Sequence, residues 1–351
     1  MKKLLCGALA LLMILSLAAC GGKKAPGTTP EADPGAQTSG PATADALVVA
    51  VGKDENSLTP FTYVSSTGLV VNRLIYDTLF TPNLDNEIVP WMVEDGYTVE
   101  DYQTYTFTLL EGQKFHDGSP VTAEDVVFSF TYPATQNVAS QRRICGQIER
   151  IEAVDARTVT LRLAEPDINF LRGGLAATRI ISKAQYESVE DATTIHDAIG
   201  SGPYRLAEYK VGEYYVLEAV ADYFKGAPKV ATLNMPIMQD ANSVQSALLS
   251  GELAAATTSL GVEVLDTFES APGLEVFANA GYSPMLMNIN NGVAPLDDPV
   301  FRSALTYAID VNGIMQTLYG GYVSVGTKGV VRSDLPYAVA GLEYVYDAEL
   351  Q

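Results

Sequence analysis

The 351-residue sequence predicts an α/β protein with mixed sheets, and three observations carry that reading. Short alternating apolar runs, the mark of strands, are interleaved with stretches of helical period. Two of the strand pairs flank tight polar turns, Asp155-Ala156-Arg157 and Val211-Gly212-Glu213, and so read as antiparallel hairpins among strands otherwise separated by helices. Beyond the N-terminus no second long apolar run occurs, so the remaining body of about 300 residues buries a core of its own.

The N-terminus reads as a targeting device. Lys2-Lys3 precede an apolar run from Leu4 to Leu17, which is too short for a comfortable membrane span and fits a secretory signal peptide over 1–19. Leu17-Ala18-Ala19-Cys20-Gly21 resembles a bacterial lipobox, in which the Cys20 thiol is acylated and becomes the new N-terminus; the alternative is an ordinary leader with an incidental cysteine. Two acyl chains suffice for stable anchoring. From Gly21 to Ala44 the chain is Gly, Pro, Thr, Ala and Ser with few apolar residues, so 20–44 reads as a flexible tether. The expected location is extracytoplasmic, lipid-anchored on the outer face of the membrane (the periplasmic side in a Gram-negative source).

The net charge of −20 argues against nucleic acid and anionic headgroups as partners. Of three cysteines, Cys6 leaves with the leader and Cys20 takes the lipid. Cys145 is left, expected as a buried thiol in a body without an intrachain disulfide.

Leu47–Val51 opens the body as a strand, and the spacing of Leu69, Val70, Arg73, Leu74 and Tyr76 predicts a helix from Ser66 to near Phe80. Tyr105, Phe107 and Leu109 alternate as a half-buried strand. Thr122 and Asp125 then stand as a near capping box before a helix with Val126, Val127 and Phe130 on its apolar face. Leu233–Met238 is a strand; Asp240 or Asn242 caps a helix that ends at Gly251. A strand over Ala255–Ser259, a helix over Val262–Glu269 and a strand over Leu274–Ala278 follow. Pro299–Tyr319 is expected as the longest helix, with Phe301, Leu305, Ala308, Ile309 and Leu318 inward.

The common catalytic signatures are absent: no Gly-x-Ser-x-Gly elbow, no His-Glu-x-x-His, no Gly-x-x-x-x-Gly-Lys. His116 and Asp117 are adjacent and would point apart in a strand, so a surface-corner histidine is the expectation. Gly200-Ser201-Gly202-Pro203-Tyr204 reads as a turn entering a strand, since Pro203 removes a donor that an anion nest would need. Asp297-Asp298 lacks the ligand spacing of a calcium loop and suits a helix N-terminus instead.

The stretch Tyr105–Phe130, YTFTLLEGQKFHDGSPVTAEDVVFSF, resembles the signature region of the extracellular solute-binding proteins of family 5, the oligopeptide-, dipeptide- and nickel-binding components of ABC importers. Tyr76-Asp77-Thr78-Leu79-Phe80, Pro90-Trp91-Met92-Val93-Glu94, Gly200-Ser201-Gly202-Pro203-Tyr204, Tyr223-Phe224-Lys225-Gly226-Ala227-Pro228, Ser250-Gly251-Glu252-Leu253, Asn288-Ile289-Asn290-Asn291 and the run Asp298–Asp310 stand in the family's order. The likeness runs from about residue 46 to the end. Ala254 departs from it, in a place where the family usually carries Asp.

The resemblance implies a two-lobed, periplasmic-binding-protein-like α/β fold that closes on its solute about a hinge. Lobe one would comprise 45–76 and 178–282, with an inserted subdomain over 77–177, and lobe two would begin at 283 and remain incomplete at 351. By position, the resemblance implies ligand contacts from the loop Tyr63, Val64, Ser65 and Ser66, which would offer main-chain groups to a peptide as an added strand. It also implies contacts from Arg142 in the subdomain, Thr257, Thr258 and Ser259 at a strand end, and Tyr282 and Asn288 on the crossover. It makes the chain a binding protein without a cofactor and not an enzyme, acting as a monomer with an ABC permease and ATPase. A peptide or peptide-like solute is the leading expectation. The alternatives are nickel or haem, for which only His116 and His196 are on offer, or a peptide-sensing receptor of the same fold. A secreted hydrolase is disfavoured for want of a catalytic constellation.

Overall fold

The computed structural model describes residues 44–63, 65–136, 138–191, 193–258, 260–276, 286–323 and 339–342. Two sheets organise them. In the first, β1 (Ala44–Ala50) lies between β10 (Val230–Pro236) and the two-residue β11 (Ala255–Ala256), parallel to both. β9 (Tyr214–Ala219) and β8 (Tyr204–Lys210) continue it antiparallel, giving the order β11-β1-β10-β9-β8. The β8–β9 hairpin turns at Gly212, whose φ of 76° suits a residue without Cβ. Tyr215 and Leu217 point inward and pack with Ile75, Ile181 and Met235. The mixture of parallel and antiparallel neighbours is the one expected.

The second sheet is antiparallel, β4-β5-β7-β6, formed by Thr98–Glu100, Thr104–Thr108, Thr158–Leu163 and Ile148–Ala153. Tyr105, Phe107, Val159, Leu161 and Leu163 line its inner face, and Leu109 just past β5 joins them. Thr106 meets Thr160, and Thr108 meets Thr158, on the other face. A separate hairpin joins β2 (Phe80–Pro82) to β3 (Ile88–Pro90).

Helix α1 (Ser66–Ile75) stops short of Phe80 because Tyr76, Leu79 and Phe80 turn into the core. The helix α2 (Ala123–Thr135) begins with a full capping box: Asp125 N–H donates to Thr122 Oγ1 at 3.4 Å, and Thr122 N–H to Asp125 Oδ2 at 3.0 Å. Its other carboxylate oxygen accepts Lys183 N–H at 3.0 Å, and Ser129 Oγ accepts Ile181 N–H at 2.9 Å. The signature stretch is therefore a structural corner stitched to the segment Ile180–Lys183. α3 (Arg142–Gln147) and α4 (Lys183–Ser188) are short, and α5 (Ala241–Ser250) is capped by Asp240 and closed by Gly251 in the left-handed region.

Several expectations are corrected. Among the described residues of the expected strand Ala255–Ser259 only Ala255 and Ala256 form one, Val262–Glu269 is split into a 3₁₀ turn over Val262–Val264 and α6 (Leu265–Glu269), and Leu274–Glu275–Val276 carries no strand; 259 and 277–278 lie outside the described residues. Pro299–Tyr319 is two helices, α7 (Pro299–Ala308) and α8 (Val311–Tyr319), because Asp310 leaves the helical path to accept Gly313 N–H at 2.8 Å and cap the second. Neither helix buries a residue, and Phe301 and Leu318 are exposed among the described residues. Asp298 does cap α7, accepting Val300 N–H at 2.8 Å. Cys145 is half-buried, and burial pushes its thiol pKa up. His116 is no surface corner: Gly200 N–H donates to its Nδ1 at 3.3 Å and its Nε2 lies 3.0 Å from Gly202 O. A neutral ring with the proton on Nε2 satisfies both contacts, and burial, the largest influence, pushes its pKa down.

Candidate functional site

The parallel strands β1, β10 and β11 end side by side, and ligands of open α/β sheets gather outside such carboxyl ends. Three connections start there: residues 51–65 after β1, 237–240 after β10, and the stretch from Thr257 after β11. Val51 bridges Ile237, and Thr257 N–H donates to Ala50 O at 2.9 Å. Thr258 Oγ1 donates to Met238 O at 3.0 Å, and a Cβ on Gly52 would lie 3.3 Å from Thr258 Oγ1. Thr257 Oγ1 is buried with no hydrogen-bond partner. The structure thus sets Thr257 and Thr258 against the root of the loop that carries Tyr63, Ser65 and Ser66.

That loop is held along its length by side chains. Asp54 accepts Tyr209 Oη at 2.6 Å, Tyr215 Oη at 2.8 Å, Asn56 N–H at 2.9 Å and Gly212 N–H, while the two tyrosine rings stack with centroids 4.7 Å apart. Burial alone would raise the Asp54 pKa; these four donors hold it below the ordinary carboxylate value. Ser57 Oγ accepts Ile195 N–H at 3.1 Å, and His196 Nε2 lies 3.0 Å from Asn56 O. Further along, Glu55 Oε1 accepts Ser65 N–H at 2.9 Å and the Ser65 hydroxyl, and Ser65 Oγ accepts Gly68 N–H at 3.4 Å as the cap of α1. Gly68 is required here: a Cβ would sit 2.4 Å from Tyr63 Cβ and 2.9 Å from Glu55 Cγ.

Arg142 opens α3 as an exposed residue. Two residues before it, Ser140 Oγ donates to Phe61 O at 2.7 Å, which draws the subdomain loop onto the loop 51–65. Asn288 is exposed, outside helix and strand, and makes no hydrogen bond to these segments among the described residues. Val64, Ser259, Tyr282 and Cys20 lie outside the described residues. Sequence reasoning missed Glu55 and Ser140. Glu55 precedes Ser65 by ten residues and Ser140 follows Phe61 by 79, spacings with no local signature. Among the described residues there is no group of three or more His, Cys, Asp or Glu able to hold a metal, and no helix long and apolar enough to cross a membrane.

The mixed-sheet scaffold thus presents a side-chain-braced loop and strand-end hydroxyls outside the carboxyl ends of its parallel strands. Residues 87–350 match the family described as bacterial extracellular solute-binding proteins, family 5, and the chain belongs to that family. The glutathione-binding protein GsiB of Salmonella typhi is 28% identical over 305 residues, covering 86% of this chain and 59% of that protein. The chain thus spans about 59% of the length of the curated relatives it matches. Among solved structures, the ABC transporter substrate-binding protein CtaP of Listeria monocytogenes has a TM-score of 0.76 at 27% identity, covering 88% of this chain and 64% of that one. The oligopeptide-binding protein AppA of Bacillus subtilis, in complex with a nonapeptide, has a TM-score of 0.74 at 22% identity, covering 88% and 63%. NikZ of Campylobacter jejuni, in complex with Ni(L-His), shares the fold at 22% identity and a TM-score of 0.76, covering 87% and 61%. The fold is that of the periplasmic binding proteins, and the family is one of solute-binding proteins.

Proposed function

We propose that the chain is the solute-capturing component of an ABC importer, taking a peptide or peptide-like solute outside the membrane and delivering it to a permease and ATPase. The observation that carries this reading is the loop after β1, whose root at Gly52 lies against Thr258 at the carboxyl ends of the parallel strands and whose far end is braced where Glu55 holds Ser65. Ser65 is already engaged, its N–H by Glu55 and its carbonyl by Leu69 N–H, so the main chain offered to an extended peptide is that of the loop before Ser65, and Thr257 Oγ1 at the strand end has no partner. Likeness to a glutathione-binding and to an oligopeptide-binding protein supports the same solute class. Arg142, Ser259, Tyr282 and Asn288 complete the proposed contact set. The role is capture and not catalysis, and the protein works as a monomer.

The two sheets support a division into lobe one (45–76 and 178–282), an inserted subdomain (77–177) and the start of lobe two from 283, since strands 44–50 and 204–256 share one sheet while 98–163 build the other. A cognate short peptide at about a hundred times its Kd contributes about 2.7 kcal/mol, which raises the melting temperature by about 3–4 °C for a chain of this length. Glu55→Ala, which releases Ser65, should weaken that peptide about tenfold while leaving the melting temperature of the free protein within about 2 °C. No shift across a library of short peptides, with a shift on Ni²⁺ or haem, sinks the peptide reading.

The lipobox-like Leu17-Ala18-Ala19-Cys20 supports anchoring through a diacylated Cys20, with 1–19 removed and 20–44 as tether. Cys20→Ser should move the protein from the membrane fraction to the medium or periplasm. Retention in the membrane fraction refutes the anchor.

A further inference from the structure

A cavity of about 450 Å³ opens where the end of α1, the β2 strand and the turn after β9 meet, and no residue proposed for solute capture lines it. Its walls include Arg73, Asp77, Trp91, Arg179, Tyr223 and Lys225. Three cations around one carboxylate are conspicuous in a chain of net charge −20. None of the three cations has an ion pair among the described residues; the ion pairs there engage other groups. Lys225 Nζ lies 5.1 Å from the centre of the Trp91 ring, a cation placed over an aromatic face in place of an acid.

The buried polar atoms are also unmatched. Asp77 is 5% exposed, and its Oδ1 accepts Trp91 Nε1–H and Tyr223 Oη–H, each at 2.9 Å. Its Oδ2 has no hydrogen-bond partner, and neither has Arg179 Nε. A carboxylate oxygen short of a donor and a guanidinium nitrogen short of an acceptor, both buried on residues that line one cavity, are each costly to leave unmet. Arg73 adds to the imbalance, since its charge repels that of Arg179. A simple anion answers the guanidinium groups and leaves Asp77 Oδ2 bare; a simple cation does the reverse. One small class of molecule supplies both ends at adjacent atoms.

We propose that this cavity is a binding site for a free α-amino acid, its carboxylate held by Arg73 and Arg179, its ammonium by Asp77 Oδ2, and its side chain against the aromatic wall of Trp91 and Tyr223. The volume lies within the ordinary range of small-molecule pockets. Tyr63 of the strand-end loop acts electrostatically on Arg179, but no residue proposed for solute capture lines the cavity, so failure of the amino-acid site leaves the peptide-capture reading standing.

Trp91 is the single tryptophan of the chain, so intrinsic tryptophan fluorescence reports from the cavity wall. The test is titration of the 351-residue protein with alanine and with phenylalanine, against propionate and inorganic phosphate, followed by fluorescence and by calorimetry. Expected is saturable binding of at least one amino acid at millimolar concentration or below, with propionate and phosphate at least about tenfold weaker, a factor that corresponds to about 1.4 kcal/mol. Arg73 is exposed on the last turn of α1, so Arg73→Gln should keep the melting temperature and lose affinity about tenfold or more. Asp77→Asn, where it folds, should lose preference for the amino acid over propionate. No saturable response to either amino acid overturns the proposal. So does equal binding of propionate or phosphate, which marks a plain anion site, and so does an unchanged affinity in Arg73→Gln, which places the binding elsewhere.

Discussion

Gly200→Ala is expected to destabilise the fold by about 3 kcal/mol or more, at the upper end of overpacking substitutions. A Cβ at that position would lie 1.9 Å from the carbonyl oxygen of Ile75 and 2.7 Å from its carbonyl carbon, and backbone at the end of a buried helix has nowhere to move. The turn cannot back away either. His116 N–H donates to Gly200 O at 2.8 Å, Gly200 N–H donates to His116 Nδ1, and Gly202 N–H donates to Ile75 O at 2.8 Å. A methyl group therefore breaks the pairing with Ile75, the docking of His116, or both. Gly212 is the matched control: its φ of 76° favours glycine but no atom lies within 4 Å of a Cβ there, so Gly212→Ala should cost only about 1 kcal/mol. Urea unfolding of the two variants separates the cases. A loss in Gly200→Ala no larger than in Gly212→Ala contradicts the close approach.

The same turn shows which parts of the fold can be read without coordinates. Local devices are legible because their cause lies within a few residues. Thr122 and Asp125 cap α2, Asp240 and Gly251 bracket α5, and the alternation of Tyr105, Phe107 and Leu109 puts all three in the core. The motif Gly200-Ser201-Gly202 is legible as a turn, but the reason it needs two glycines is a helix end 125 residues earlier, which spacing does not reveal. His116 was open to misreading for the same cause, since its partners lie 84 and 86 residues away. The break at Asp310 shows the opposite limit. Helical period persists across it, while one side-chain cap decides the geometry.

The candidate site divides in the same way. Positional likeness brings Tyr63, Ser65, Ser66, Thr257 and Thr258 to attention, and the sheet topology explains why Thr258 meets the root of the loop at Gly52: both follow neighbouring parallel strands. Glu55, Ser140 and Asp54 escape, because what they do is hold other residues, through contacts spanning from ten to 161 positions. The unpaired cations around Asp77 escape for a further reason. Formal charge gives a sum, and only the packing of α1 against the turn after β9 shows three positive groups sharing a cavity in an acidic chain.

Asp54→Ala should remove about 2–3 kcal/mol, the scale of losing hydrogen bonds to a charged, half-buried acceptor. The arrangement it dismantles joins two distant parts of the chain. Asp54 lies in the loop that leads to Tyr63–Ser66, and its donors Tyr209, Gly212 and Tyr215 belong to the β8–β9 hairpin. Truncation leaves two stacked tyrosine hydroxyls without their acceptor and lets the loop separate from the hairpin. The pH dependence identifies the mechanism. Hydrogen bonding holds the folded pKa of Asp54 below its ordinary value of 3.8, so its contribution is fully present above that value and is lost as pH falls through the folded pKa. The stability gap between wild type and Asp54→Ala should thus be constant from neutral pH down to about 5, then narrow in stronger acid. Asp54→Asn, which keeps the shape and an acceptor oxygen but not the charge, should fall between the two. Chemical unfolding as a function of pH measures all three. A gap that stays constant through the acid limb assigns the loss to packing and removes the carboxylate from the argument. A gap that narrows, accompanied by weaker peptide binding at neutral pH in Asp54→Ala, ties the hairpin to the geometry of the capture loop.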